Sequence, residues 1–225
     1  RKSLQGSAKS NKDIMKIHSV KPFGPSILKT KIPEDLVNKL NEYVDGISSD
    51  KKKINELDNG PNLAGDVTQE LILESEFIKK IGWLDFLGNC VSLWIKTELK
   101  KEIKSFNVLS SWIVRQYKYE YNPIHWHGGH ISGAGFLKVP NTLGNYNQSK
   151  KNSQNYSGGN LNFIHGSKMF LSESTISVKP EVGDFYFFPN YLMHTVYPFK
   201  DTSEERRSIS FNALIDQDIY NVYGK

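Results

Sequence analysis

Length, composition and charge set the first limits on this protein. The chain has 225 residues, of which 38% are hydrophobic and 12% aromatic, and this suffices for one sizeable, sheet-rich core. No stretch reaches the roughly 20 apolar residues of a membrane span, so we expect no membrane association. A net charge of +5, carried by scattered lysines, is typical of a solvated surface, and we expect no nucleic-acid binding.

The single cysteine, Cys90, excludes a disulfide within the chain and a cysteine-ligated zinc cluster. It fits a reducing compartment, and we expect a cytoplasmic protein. Residues 1–17 are polar and basic, without a hydrophobic period or the apolar core of a signal peptide, and we expect them to be flexible. Residues 18–225 are then expected to form one domain.

The first half of the chain predicts a strand and then helices. Residues 20–32, "VKPFGPSILKTKI", suggest a short strand, and a helix with regularly spaced apolar residues begins at Pro33. Residues 48–66, "SSDKKKINELDNGPNLAGD", are polar with Gly and Pro, which is typical of a loop. Over residues 75–106 apolar side chains recur every three or four positions. This predicts one long amphipathic helix, or two helices broken near Gly88.

The second half predicts short strands separated by Gly, Pro, Asn and Ser. The segments are "NVLSSWIVRQYKYEY", "HISGAGFLKVP", "GNLNFI", "KMFLSES", "TISVKP", "GDFYFFP", "HTVYPF" and "RRSISFNALI". Residues 141–160 form a polar insertion, which we expect to be a surface loop or a lid. We therefore predict a mainly β fold in which N-terminal helices pack on one face of an antiparallel sandwich.

Three of the six histidines lie close together in "YNPIHWHGGHIS", residues 121–132. Side chains alternate along a strand, so His125 and His127 would point the same way, with backbones roughly 7 Å apart. Two such imidazoles can converge on one ion, and a third ligand from a distant strand completes one face of an octahedron, as in non-heme iron oxygenases. His194, which follows an aromatic strand, is the candidate for that ligand.

A candidate carboxylate clamp lies near the C-terminus. Arg206, Ser208 and Asn212 share one face of a predicted strand. An arginine with a hydroxyl two residues on suits a carboxylate, because arginine binds it bidentately and serine adds a donor. Arg207 points to the opposite face, where we expect it to pair with solvent or with an acid such as Glu204.

Three segments together resemble a known signature. "YNPIHWHGGHISGAGFLKVP", "GDFYFFPNYLMHTVYPF" and "ERRSISFN" are similar to the motifs of the 2-oxoglutarate- and iron(II)-dependent oxygenases, in particular the branch often found in marine bacteria and tailed phages. The resemblance covers about residues 108–215. It implies a double-stranded β-helix (jelly-roll) core with helices packed on one sheet, iron(II) and 2-oxoglutarate as cofactors, and the host cytoplasm as location if a phage encodes the chain.

Carried over residue by residue, the resemblance makes His125 the first metal ligand and His194 the distal one. Arg206 and Ser208 match the pair that holds the far carboxylate of 2-oxoglutarate. His127 falls where most of the superfamily has Asp or Glu, and this is a departure from the usual triad of two histidines and one carboxylate.

Several roles remain open from the sequence. We take His127 as the third ligand, with His130 or water as the alternative. Tyr119, on the strand that leads into the motif, is a candidate contact for the near end of the cosubstrate, and a place in the aromatic core is the alternative. Alternation puts Gln116 on the other face unless a turn shifts the phase. Asn212 could line the pocket or form only structural hydrogen bonds.

The implied activity is hydroxylation of a C–H bond by dioxygen, with decarboxylation of 2-oxoglutarate to succinate and CO2. The substrate is open between a peptidyl side chain, a nucleotide and a small metabolite, and the oligomeric state is also open. A non-catalytic, metal-binding jelly roll that serves as a binding or assembly module is the alternative from another class. A cupin-like dioxygenase that needs no 2-oxoglutarate is a third possibility, against which the Arg206–Ser208 pair argues.

Overall fold

A computed structural model of the chain describes residues 24–143 and 157–221. The N-terminus, expected to be flexible, and most of the insertion expected at 141–160 lie outside the described residues. Within the described part, no helix has both the length and the apolar character needed to cross a membrane.

The described strands form two facing antiparallel sheets. The six-stranded sheet has the order β1-β8-β5-β10-β3-β2 and the four-stranded sheet the order β4-β9-β6-β7. This is the double-stranded β-helix predicted from the sequence. The strands are β1 (Leu28–Lys31), β2 (Gln69–Ile72), β3 (Phe106–Gln116), β4 (Asn122–His125), β5 (Ile131–Lys138), β6 (Leu161–Ile164), β7 (Thr175–Val178), β8 (Asp184–Pro189), β9 (Met193–Val196) and β10 (Arg206–Ile215).

The helices precede β3, except for a short one at the C-terminal end. They are α1 (Glu34–Ile47), α2 (Lys51–Leu57), α3 (Ser75–Lys80), α4 (Trp83–Leu99) and α5 (Gln217–Tyr220). The predicted helix start at Pro33 is confirmed, since Pro33 is the residue directly before α1. Proline suits this place because the first amide groups of a helix have no partner within it.

Two predictions about the helical half are wrong in detail. The long apolar stripe is interrupted at Gly82, whose φ of 84° separates α3 from α4, and not at Gly88, which lies inside α4. The segment predicted as a loop contains α2, because the Asp50 carboxylate accepts hydrogen bonds from the amides of Lys52 and Lys53 and so caps a helix.

Strand prediction failed at two places. The segment "KMFLSES" is not a strand but the connection between β6 and β7, where Met169 and Ser172 form an isolated bridge. β2 was missed, since "QELI" is short and half polar, which is unusual for a strand. In the structure it is an edge strand that pairs with β3, and its Glu70 lies opposite Val114.

Alternation along the six-stranded sheet creates two cores. Its outer face packs against α1 and α4, whereas its inner face packs against the four-stranded sheet. The outer-face side chains include Ile113, Phe185, Phe187, Ile209 and Phe211. The inner core contains Phe136, Leu161, Phe163, Tyr186, Phe188, Leu192 and Val196.

A buried ion network ties α1 to the outer face. Arg207 is fully buried, so it does not pair with solvent; it pairs with acids, as the alternative expectation had it, although not with Glu204. Its guanidinium contacts Glu205 at 2.7 Å and Asp45 at 2.7 Å, and it donates to the side chain of Asn41. Arg115 also binds Glu205, at 2.8 Å. Burial acts to raise the pKa of Glu205, but the two guanidinium groups outweigh it and lower that pKa to about 2.

Arg207→Ala is expected to lower the free energy of unfolding by about 3–5 kcal/mol, because it removes one partner from a buried ion pair. Lys39→Ala is the control: it removes an exposed pair with Asp35 and should change stability by less than about 0.5 kcal/mol. Urea unfolding followed by circular dichroism measures both. Equal stability of the two variants would contradict a structural role for this network.

Candidate metal centre and cosubstrate pocket

Pairing between β4 and β9 places two histidines side by side. His125 is the last residue of β4, and its register partner on β9 is His194. Directly paired residues of an antiparallel sheet point to the same face, so both imidazoles lie on the inner face of the four-stranded sheet. The strand pairing alone therefore joins residues 69 positions apart in the sequence.

His127 is positioned by contacts outside the strand and not by strand pairing, because β4 ends two residues before it. Its amide donates to the carbonyl of Asn190 at 3.0 Å, and the Asn190 side-chain amide donates back to the His127 carbonyl at 3.1 Å. Gly129 follows in the left-handed region, with φ of 88°, and a Cβ there would lie 2.9 Å from the Ala213 carbonyl oxygen. These contacts fix the turn beyond the strand and the direction of the His127 ring.

The three imidazoles converge as a ligand set. One nitrogen from each of His125, His127 and His194 lies within 4.8 Å of the others, and the Nε2 atoms of His127 and His194 are 3.1 Å apart. His125 donates its Nδ1–H to the Pro123 carbonyl at 2.7 Å, and His194 donates its Nδ1–H to the Leu192 carbonyl at 2.9 Å. Both rings therefore present an unprotonated Nε2 when neutral, as metal-binding histidines commonly do.

Burial keeps these rings neutral. It lowers the pKa of His127 to about 3, with a smaller contribution from the neighbouring His194 and His125. It also lowers the pKa of His194 to about 4, to which His125 adds, and it lowers the pKa of His125. Neutral imidazole is the form that binds metals, so at neutral pH this set needs no deprotonation first.

His130 lies elsewhere. Its ring stacks on Tyr220 at a centroid distance of 3.9 Å, and its Nδ1 lies 3.1 Å from both the amide and the carbonyl of Ile215. It lines a separate cavity beside α4 and α5. Of the two candidates for the third ligand, the structure brings His127 to the other two histidines and leaves His130 away from them.

Arg206 and Ser208 lie on the inner face of β10, opposite the histidines. Arg206 is 2% exposed, and its guanidinium donates to the Gly159 carbonyl at 2.9 Å, to the Gln116 Oε1 at 3.1 Å and to the Ser208 Oγ at 3.5 Å. Its plane lies 5.1 Å from the centre of the Phe136 ring. All these partners are uncharged.

The absence of an acidic partner distinguishes Arg206 from its neighbour. Within residues 24–143 and 157–221, Arg206 forms no ion pair, whereas Arg207 has two carboxylates. Burial alone lowers the pKa of Arg206, to about 10, so the group stays charged at neutral pH. A buried cation without a counterion is costly, and this one faces a cavity from which an anion can supply the missing charge.

The histidines and Arg206 share one cavity between the sheets. It has a volume of about 170 Å³ and is lined by all three histidines together with Arg206 and Ser208. Its remaining walls are mostly apolar. They include Trp112, Val114, Phe136, Leu161 and Val196. The candidate metal ligands and the candidate carboxylate clamp therefore open into the same space.

Two predicted cosubstrate contacts do not reach this cavity. Tyr119 lies in the turn after β3, with φ of 73°, and is 62% exposed. The turn shifts the phase of alternation, so Tyr119 points to solvent. Asn212 is on the inner face of β10 but beyond the cavity, where it accepts a hydrogen bond from Ser132 at 2.8 Å. This is the structural alternative stated for it above.

Two other residues at the site were not identified from the sequence. Gln116, which alternation had put on the other face, is fully buried and binds Arg206 directly. Its place follows from its pairing with Arg206 across β3 and β10. Glu70 lines the cavity from β2, and no sequence signal identified it beyond a lone acid among apolar residues.

Comparison with known proteins agrees with this geometry. Residues 110–212 match the family described as "Putative 2OG-Fe(II) oxygenase", and this segment contains the three histidines, Arg206 and Ser208. Over this segment the chain is similar to a 2OG-Fe(II) oxygenase core. Iron(II) and 2-oxoglutarate, predicted above, are the cofactors of this class. No curated protein matches the chain significantly in sequence.

Solved structures similar to this chain share its fold at low sequence identity. A prolyl-4-hydroxylase from Pseudomonas putida has a TM-score of 0.52 and 16% identity, over 83% of this chain and 91% of that one. A prolyl hydroxylase from Trichoplax adhaerens, in complex with a hypoxia inducible factor peptide fragment, has a TM-score of 0.51 and 13% identity, over 90% and 88%. The epimerase SnoN from nogalamycin biosynthesis has a TM-score of 0.55 and 12% identity, over 84% and 77%.

His194→Ala is expected to abolish stoichiometric binding of iron(II) or cobalt(II), because two imidazoles remain where three converged. The fold should persist by circular dichroism. His165→Ala removes an exposed histidine after β6 and is the matched control, with unchanged binding. Elemental analysis after anaerobic loading is the measurement, and full metal occupancy in His194→Ala would refute the assignment.

The third ligand has its own test. His127→Asp should retain iron, because it restores the common set of two histidines and one carboxylate, while His130→Ala should leave metal affinity unchanged. Competition with a chromogenic chelator measures both affinities. Loss of metal from His130→Ala, with His127→Ala unaffected, would move the ligand to His130.

Proposed function

We propose that this oxygenase hydroxylates a C–H bond of an organic or peptidyl substrate and converts 2-oxoglutarate and dioxygen into succinate and CO2. The observation that carries the proposal is the buried Arg206 guanidinium, which has no acidic partner among the described residues and faces the same cavity as three convergent imidazoles. A module that only bound a metal would have no need of this cation.

The donor set fits the cofactors of the class. Three neutral imidazoles suit iron(II) and leave positions of an octahedron open for other ligands. When iron(II) and 2-oxoglutarate are bound, the chemistry supplied is oxidative decarboxylation of 2-oxoglutarate by dioxygen, coupled to hydroxylation of a C–H bond. The protein's own residues then have three tasks: they hold the cosubstrate, orient the ligands and exclude water.

Arg206 and Ser208 perform the first task. The guanidinium is held in place by neutral acceptors, Gly159 and Gln116, which fix its direction without neutralising it. Its remaining donors, with the Ser208 hydroxyl beside them, suit the far carboxylate of 2-oxoglutarate. Because these groups are already ordered, little further entropy is lost when the cosubstrate binds.

Backbone carbonyls orient the metal ligands, and the apolar walls of the cavity exclude water. The carbonyls of Pro123 and Leu192 fix the tautomers of His125 and His194, so that each turns its Nε2 to the metal. Leu161 and Val196 line the cavity from the four-stranded sheet and keep bulk water away from the reacting groups.

The nature of the substrate is part of the proposal. Two similar structures are prolyl hydroxylases, and one of them was solved with a peptide fragment, so a peptidyl substrate is one candidate beside a small metabolite. A single cysteine is compatible with a reducing compartment, and we propose the cytoplasm as the site of action.

Arg206→Ala should weaken 2-oxoglutarate binding severely and leave the metal in place. Truncation of one partner of a buried, charge-assisted pair costs about 2–5 kcal/mol, which corresponds to a loss of roughly 30-fold to several thousand-fold in affinity. Calorimetric titration of 2-oxoglutarate into the anaerobic cobalt(II) protein measures it. Lys118→Ala, which removes an exposed positive charge, is the control and should bind as the wild type does.

The wild-type protein provides the decisive comparison with a non-catalytic module. Succinate formation from 2-oxoglutarate, with iron(II) and ascorbate, should be detectable and should depend on Arg206. A wild type that binds metal but neither binds millimolar 2-oxoglutarate nor forms succinate would instead establish the metal-binding module.

A further inference from the structure

Glu70 is a buried acid in the cavity for which the chemistry described so far has no use. It is 2% exposed and lines the same space as the histidines and Arg206. Its register partner is Val114, which pairs in turn with Ser208 on β10. These three side chains therefore form one row across the inner face, with Glu70 about 10 Å from Ser208 at two strand spacings.

One oxygen of this carboxyl group lacks a partner. The Asn122 side chain hydrogen-bonds to Glu70, but Oε2 is buried and accepts no hydrogen bond from the described residues. Burial raises the pKa of Glu70 to about 7, against the effect of Asn122 and with a smaller contribution from Asp58. Buried polar atoms in folded proteins nearly always have partners, so an exception at a cavity wall suggests that a ligand provides one.

The position of the carboxyl group is built into the fold. Gly65 packs directly over it, and a Cβ at this glycine would lie 2.8 Å from the Glu70 Oε1 and 2.9 Å from the Asn122 Nδ2. The preceding residues Asn62, Leu63 and Ala64 also line the cavity. The segment that covers Glu70 therefore holds the acid against its strand and leaves Oε2 as the free acceptor.

A role for Glu70 at the metal is less consistent with these contacts. Glu70 does not join the three histidines as a potential ligand, since only their nitrogens lie within 4.8 Å of one another. A metal at longer range could offset its charge, but it would not supply the hydrogen bond that Oε2 lacks. A positively charged substrate donor in contact with Oε2 supplies both the compensating charge and the missing hydrogen bond.

We propose that Glu70 is a substrate-binding residue that accepts a hydrogen bond from a positively charged nitrogen, an ammonium or guanidinium group, of the molecule to be oxidised. This inference rests on the proposed function, in which Arg206 occupies the other side of the cavity and binds the cosubstrate. The two buried groups then bind different ligands: the Arg206 guanidinium binds the dicarboxylate, and the Glu70 carboxyl group binds the cationic group of the substrate.

Fragment binding tests this without knowledge of the full substrate. The protein is loaded with zinc(II), which is diamagnetic and inert to redox chemistry, and with 2-oxoglutarate. Saturation-transfer NMR then compares butylammonium with 1-butanol, and butylguanidinium with butylurea. The wild type should bind each cation at least tenfold more tightly than its neutral counterpart, a difference of about 1.4 kcal/mol.

Glu70→Gln keeps the shape of the side chain and removes its charge. It should abolish the preference for cations while zinc and 2-oxoglutarate affinities stay within about twofold of wild type. Glu76→Gln removes the same charge from an exposed position on α3 and should keep the preference.

Three outcomes would overturn the inference: no cation preference in wild type, an unchanged preference in Glu70→Gln, or loss of metal from Glu70→Gln in parallel with the preference. The wild-type comparison needs no variant, so a failure of Glu70→Gln to fold leaves the test intact. Failure of the proposed function can be distinguished from failure of this inference, because it would appear as absent 2-oxoglutarate binding in every sample.

Discussion

The alternation of side chains along β10 is the constraint on which the rest of the structure depends. β10 lies in the middle of the six-stranded sheet and pairs with β3 over its whole length and with β5 over most of it. Arg206 and Ser208 therefore face the other sheet, while Arg207 and Ile209 face the helices. A slip of one residue would exchange the two arginines and place Ile209 in the cavity.

Acids on the outer face surround Arg207. Glu205 and Asp45 are positioned for Arg207, and without it Glu205 would be a buried carboxylate with one partner fewer. The alternation that places Arg207 in the ion network also places Arg206 in the cavity. Two adjacent arginines thus acquire different roles from their surroundings: acids neutralise one for stability, and neutral acceptors keep the other charged for a ligand.

The sequence predicted the parts of the site that depend on strand alternation. The bounds of β10 match the quoted segment "RRSISFNALI", and the phase that selects Arg206 over Arg207 is the phase found. Convergence of His127 with His194 was also predicted, although His127 lies beyond the end of β4 and is held by Asn190 and not by strand pairing. Here the pattern predicted residues that do converge, but for a partly wrong geometric reason.

The parts it did not predict depend on turns and edge strands. The faces predicted for Tyr119 and Gln116 were interchanged, because the turn after β3 shifts the alternation of side chains. The residue of this turn with a left-handed backbone is Tyr119, and tyrosine is not a residue type that predicts such a turn. Glu70 was missed because β2 is an edge strand of four residues, stabilised by its pairing with β3 more than by its own propensity. Neither failure affects His194 or the Arg206–Ser208 pair, whose strands β9 and β10 are paired on both sides, whereas His125 lies on the four-residue edge strand β4 and was predicted from its spacing to His127.

The two sheets divide the site between them, and this division restricts the ligand. The three histidines lie at the end of the four-stranded sheet, whereas Arg206, Ser208 and Glu70 belong to the six-stranded sheet. The backbones of packed sheets lie about 10 Å apart, and side chains extend into this space from both sheets, so a molecule that contacts both walls spans only the part that the side chains leave open. A five-carbon diacid can place one end at the histidines and its far carboxylate at Arg206, whereas a monocarboxylate of two carbons would leave one wall without a partner. In the proposed function, the histidines and Arg206 therefore favour a ligand that carries an acid group at each end.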